Sequence, residues 1–302
     1  MQQCTFKNRP AILIKSRDLT AIFLPEDGGK MASLQVNSTG RELLIVKSNE
    51  EYKTLSYDGS YCDSECSAFD DMFPTVDPYT PCAGEYAGVS YPDHGEICRL
   101  PFHVDELSDG GAELSCKSKV FNIIYHKQIM PANNGGINIT YRICNYGQED
   151  FPFLWAGHIM LQGEDGAHVF TPFDENTPTE MMFCSTENDL TVLPKDQLSG
   201  FHKEGVTYKF YYLAPMPEGC FGLEYADKSK LIFTVDEDKV PYLGLWLNNG
   251  AFQNIYSITP EPCTVPFDAP DRAGKRGYTS VIPAGASFEF CFNISWCNNK
   301  KD

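Results

Sequence analysis

Three short segments set an ionisable side chain among aromatics, prolines and glycines rather than on a charged face. They are Tyr91-Pro-Asp-His-Gly-Glu96, Phe153-Leu-Trp-Ala-Gly-His158 and Thr259-Pro-Glu-Pro262. Imidazoles and a carboxylate move protons near neutral pH, so the chemistry they offer is general acid and base work. Glu261 lies between two prolines whose rings fix the backbone, which aims its carboxylate; the competing reading is an ordinary loop acid. His158 ends an apolar aromatic run, where a lone histidine is as readily a core residue donating to a carbonyl. Two histidines and a glutamate are also a metal-ligand set, but the wide spacing of His94, His158 and Glu261 permits such a site without suggesting it. Cys62, Cys66 and Cys82 form a loose cluster that no second pair or neighbouring histidine completes as a zinc site.

The elements that must position these groups are strands. Across residues 136–144, Ile137, Ile139, Tyr141 and Ile143 alternate with Asn138, Thr140, Arg142 and Cys144, the period of two that gives a strand one buried face. Phe288, Phe290, Phe292, Ile294 and Trp296 alternate in the same way. Shorter β-rich runs at 11–14, 21–24, 208–213, 231–235 and 242–247 are separated by turns such as Asp27-Gly28-Gly29. No comparable amphipathic helix emerges, so the fold class expected is all-β, antiparallel sheets stacked as a sandwich. With no linker and no fixed-period repeat, residues 1–302 read as a single domain, and residues 48–91 and 172–205 read as long loops crossing the sandwich.

The chain has 302 residues, 42% of them hydrophobic, and 41 acidic against 24 basic side chains give a net charge of −17. This is a globular composition whose sign opposes phosphate backbones and anionic membranes, so neither nucleic acid nor membrane is expected as a partner. The opening MQQCTFKNRP has no apolar signal region, and no apolar run approaches the roughly 20 residues that span a bilayer. A soluble, cytoplasmic protein is the expectation, with the 12 scattered cysteines mostly reduced thiols.

In their order along the chain, these segments resemble the aldose 1-epimerase (galactose mutarotase-like) superfamily. The likeness extends to Pro25-Glu-Asp-Gly-Gly-Lys-Met-Ala-Ser-Leu34 with Gly40-Arg-Glu-Leu-Leu44, to Asp70-Asp-Met-Phe-Pro-Thr75 before the first histidine, and to Asn145-Tyr-Gly before the second. It continues through Tyr242-Leu-Gly-Leu-Trp246, Pro260-Glu-Pro262 and Ile282-Pro-Ala-Gly285, covering about residues 10–297. The resemblance implies an antiparallel β supersandwich and an isomerase that interconverts the α and β anomers of a small-molecule sugar, without cofactor or metal. It also implies roles: Glu261 as general base, His158 as general acid, and His94 hydrogen-bonding the sugar near its ring oxygen. An acid near neutral pH must hold its proton, and Glu261 across the sugar is the group expected to favour the charged His158. Trp246 offers a stacking surface for a pyranose, against a core role in its apolar strand.

The sequence departs from the family pattern at one place. Well-studied hexose mutarotases carry an Arg before the first histidine, whereas residues 61–74 hold Asp63, Glu65, Asp70 and Asp71 but no Arg or Lys. That leaves the sugar open. A hexose-6-phosphate mutarotase is the runner-up, with Asp271-Arg-Ala-Gly-Lys-Arg276 as the basic cluster near Glu261, against a solvated turn. A carbohydrate-binding protein of the same fold without turnover is the non-enzyme alternative.

Overall fold

A computed structural model describes residues 1–185 and 205–298. The two alternating runs form strands Ile137–Asn145 and Ser287–Cys297, paired antiparallel with Tyr141 opposite Phe290 and Ile139 opposite Phe292. Their apolar residues are buried as the period of two requires.

Among the described residues the strands build an 11-stranded and an 8-stranded sheet, with one further two-stranded pair. The 8-stranded sheet carries Ile137–Asn145 and Ser287–Cys297 near its middle. The 11-stranded sheet carries Phe69–Met72, Ala156–Ile159, Tyr256–Cys263, Tyr242–Asn249, Thr207–Tyr212 and Thr179–Cys184 side by side in that order. The inner faces share one apolar core to which both sheets contribute, built of aliphatic and aromatic side chains together. Trp155 packs on Tyr141 and Phe290 and donates its indole N–H to the Tyr125 hydroxyl at 2.8 Å, which satisfies a buried polar group inside the core. This is the antiparallel β supersandwich expected from the sequence.

Two stretches read as loops contain strands. Phe69–Met72 lies inside 48–91 and Thr179–Cys184 inside 172–205; residues 186–204 lie outside the described residues. Phe69–Met72 is short and buried throughout, so it carries no alternation to read, and its strand form is imposed by pairing with Ala156–Ile159 across the sheet. Glu261 is likewise no loop acid: it stands in the strand Tyr256–Cys263.

The prolines beside Glu261 shape the sheet there. Toward Tyr242–Asn249 the ladder is continuous, with Gly244 opposite Glu261. Toward Ala156–Ile159 and Leu161–Gln162 the strand pairs at Cys263 and again at Ile258 and Ser257, and residues 259–262 are unpaired on that side. A proline has no N–H to give to a ladder, so two of them next to Glu261 are compatible with an inner strand because the pairing is interrupted there. The interruption faces His158.

Candidate active site

The site assembles at the middle of the 11-stranded sheet. His158 lies on Ala156–Ile159 with Asp70 as its cross-strand partner. The Thr264 N–H donates to the Trp155 carbonyl at 3.0 Å, and the Trp155 N–H donates to the Thr264 hydroxyl at 3.0 Å. These bonds pin the start of the His158 strand to the end of the Glu261 strand.

His94 arrives from a turn rather than a strand. Its φ of 60° is left-handed, and Gly95 follows at 74°. A Cβ at Gly95 would stand 2.3 Å from the Phe73 carbonyl oxygen, so the chain can pass here only with glycine. The turn lays the His94 ring flat on Tyr61, with centroids 3.7 Å apart and planes 7° from parallel, and edge-on to His158 at 5.5 Å.

One pocket of about 210 Å³ is lined by His94, His158, Glu261 and Trp246, so all four residues expected from the sequence meet there. Trp246 is half-buried and lines the pocket, with Phe183 parallel to it at 6.1 Å; it is not a core tryptophan. His158 Nε2 lies 3.9 Å from Glu261 Oε1.

The structure adds residues that sequence reasoning missed. Lys209, from Thr207–Tyr212, places Nζ 2.8 Å from Glu261 Oε2 and 2.8 Å from Asp268 Oδ1. Asp268 also accepts the Tyr211 hydroxyl at 2.7 Å, and the Tyr211 ring lies where a side chain on Gly244 would be, 2.6 Å from its hypothetical Cβ. Phe267 and Asp268 both carry left-handed φ, 77° and 66°. Holding such backbone costs on the order of 1–3 kcal/mol per residue, more for Phe than for Asp. The Asp268 carbonyl repays part of it by accepting from Val76 and Asp77 N–H at 2.9 and 2.8 Å.

The electrostatics follow from burial. Glu261 is fully buried, and burial pushes its pKa up; Lys209 pulls it down and Asp268 up again, with a net upward shift. Lys209 is the partner of Glu261 Oε2, and among the described residues Oε1 has no hydrogen bond, its facing group being His158. The same two carboxylates outweigh the burial of Lys209 and keep it charged. His158 moves the other way. Burial lowers its pKa well below the usual 6.5, and His94, Lys209 and Lys30 lower it further. The expectation that Glu261 would hold the proton on His158 is therefore corrected, since desolvation leads and the positive charges of Lys209 and Lys30 add to it.

Behind His158 a chain of polar contacts sets its orientation. Lys30 Nζ lies 3.0 Å from Asp70 Oδ2, which also accepts the Tyr61 hydroxyl at 2.7 Å; that hydroxyl is 3.5 Å from His158 Nδ1. With its hydrogen given to Asp70, the Tyr61 oxygen can only accept from His158, so Nδ1 carries the hydrogen and Nε2 faces the pocket.

The basic run 271–276 splits. It forms a short helix, Pro270–Lys275, in which Arg272 lines the pocket but pairs with Asp77 at 2.6 Å. Arg276 pairs with Glu180 and covers the Phe267 ring at 4.1 Å, and Lys275 pairs with Asp271. Among the described residues no His, Cys, Asp and Glu group has the arrangement of a metal site, and no helix is long and apolar enough to cross a membrane.

No protein-family model and no curated protein matches the chain. Solved structures do. The chain is similar to the Slr1438 protein of Synechocystis sp. PCC 6803, at 14% identity and TM-score 0.70, over 99% of this chain and 100% of that one. It is similar to a candidate aldose 1-epimerase of Klebsiella pneumoniae, at 14% identity and TM-score 0.69, over 97% and 81%. A galactose mutarotase-like protein of Lactobacillus casei matches at 16% identity and TM-score 0.64, over 95% and 100%. At these identities the likeness is one of fold, and the fold is galactose mutarotase-like.

Proposed function

We propose that the chain acts as one galactose mutarotase-like domain and is an aldose 1-epimerase, interconverting sugar anomers by acid–base ring opening. The observation that carries this reading is the meeting of a fully buried carboxylate and two imidazoles in one pocket, with Glu261 Oε1 facing His158 Nε2. The fold of structures named as epimerases and mutarotases agrees with it.

Glu261 takes the proton of the anomeric hydroxyl, the C1–O bond becomes a carbonyl, and the bond from C1 to the ring oxygen breaks as His158 Nε2 protonates that oxygen. The aldehyde turns about C1–C2 and recloses with the two groups exchanging roles. The two pKa values shift in opposite directions, and the state with Glu261 ionised and His158 protonated is the one that reacts. His94, held flat by Tyr61, hydrogen-bonds the sugar beside the ring oxygen, and Trp246 covers its apolar face.

Neutral sugars fit the charge of the pocket better than phosphates. Lys209 and Arg272 are already matched by Glu261, Asp268 and Asp77, so among the described residues lining the pocket no unpaired Lys or Arg is left to hold a phosphate dianion. The test is a panel of pure anomers followed by polarimetry or NMR. Acceleration over the buffer rate for at least one neutral aldose is expected; a protein that binds sugars without accelerating any is the non-catalytic alternative.

A further inference from the structure

Next to the catalytic pocket lies a second chamber of about 60 Å³, lined by Tyr61, Cys62, Cys66, Met160, Phe252 and Thr259 and opening onto His94, His158 and Trp246. Those last three line both spaces, whereas Glu261 lines the catalytic pocket and not the chamber. The chamber therefore joins the catalytic pocket at the imidazoles and Trp246 rather than at Glu261.

We propose that this chamber receives the C6 group of the sugar and selects 6-deoxyhexoses, whose C6 is a methyl. The inference rests on the epimerase reading and follows from the connectivity of a pyranose. With C1 at Glu261 and the ring oxygen at His158, the next ring atom beyond the oxygen is C5, and its exocyclic C6 points past the imidazoles. The space exceeds the roughly 10–15 Å³ that a single water needs, so a methyl fits. A hydroxymethyl or phosphate would find few partners. The Tyr61 hydroxyl donates to Asp70 and the Thr259 hydroxyl to Ser257 at 3.5 Å, burial pushes the Cys66 thiol up to about 12 and keeps it neutral, and Met160 and Phe252 offer no hydrogen bond. A hydroxyl placed there loses its water without replacement, while a methyl gains from burial.

The experiment compares matched pairs of pure anomers, D-fucose with D-galactose and 6-deoxy-D-glucose with D-glucose, by NMR anomerisation rates, with the 6-phosphates as a further arm. In each series that is turned over, kcat/KM should favour the 6-deoxy member about 10–10²-fold, the discrimination an apolar pocket achieves against an added hydroxyl. Cys62→Leu, at a half-buried position, narrows the chamber and should reduce the rate of the 6-deoxyhexose relative to D-xylose, which has no C6. Parent hexoses or 6-phosphates turned over as fast as the 6-deoxy sugars would overturn the assignment and leave the epimerase reading standing. Failure to accelerate any aldose would overturn both.

Discussion

His158 Nε2 stands 3.9 Å from Glu261 Oε1, outside hydrogen-bond reach, and burial drives the proton affinities of the two groups in opposite directions. On the proposed reading the two groups need not hold the sugar between them, because the anomeric hydroxyl and the ring oxygen are bonded to the same carbon and neighbouring groups can each reach one of them.

That arrangement separates the two histidines kinetically. His158→Asn removes the proton delivered to the ring oxygen and should lower kcat about 10²–10⁴-fold. His94→Asn should raise KM as well as lower kcat, because its work is hydrogen bonding. Steady-state anomerisation kinetics decide between them, and a larger kcat loss for His94→Asn would exchange the two roles.

The buried imidazole also shapes stability. Its folded pKa lies below the unfolded 6.5, so between those values the unfolded chain binds a proton that the folded chain does not. Its contribution is present above pH 6.5 and is lost as pH falls toward the folded pKa, at up to about 1.4 kcal/mol per pH unit. Denaturation midpoints should therefore fall more steeply below pH 6.5 for the wild type than for His158→Asn; parallel pH profiles would contradict the buried neutral state.

Lys209 balances two carboxylates inside the sheet. Lys209→Met leaves Glu261 and Asp268 facing each other unpaired, and the expected loss of stability is about 3–5 kcal/mol by urea unfolding. Where the variant still folds, the acidic limb of kcat/KM should move to higher pH, since the cation that lowers the Glu261 pKa is gone. An unchanged midpoint together with an unchanged limb would remove Lys209 from the site's electrostatics.

Charge matching in the pocket predicts its ligands. Calorimetric titration should give tighter binding for neutral aldoses than for their 6-phosphates. A preference for the phosphate that disappears in Arg272→Ala would make the Asp77 pairing a resting state and establish the phosphosugar reading.

The strands whose apolar residues alternate were legible in the sequence because the period of two is local, as in Ile137–Asn145 and Ser287–Cys297. Phe69–Met72 was not, because a strand buried on both faces shows no period and this one takes its form from Ala156–Ile159, distant in sequence. The site divides in the same way. Glu261, His158 and His94 stood out by their neighbours, and Asp268 carries a similar signal, an acid between Pro266-Phe267 and Ala269-Pro270. Lys209, a lone cation in the run Thr207-Tyr-Lys-Phe-Tyr-Tyr212, marked a buried charge without naming its partner, which only the pairing of Thr207–Tyr212 with Tyr242–Asn249 brings within reach of Glu261.

The most direct test of Glu261 as the ring-opening base is the anomerisation rate of Glu261→Gln, measured by NMR on the best neutral aldose. The amide is nearly isosteric but cannot take the anomeric proton, so kcat should fall about 10²–10⁴-fold with the thermal midpoint retained. Interconversion at close to the wild-type rate by a folded Glu261→Gln protein would contradict the account.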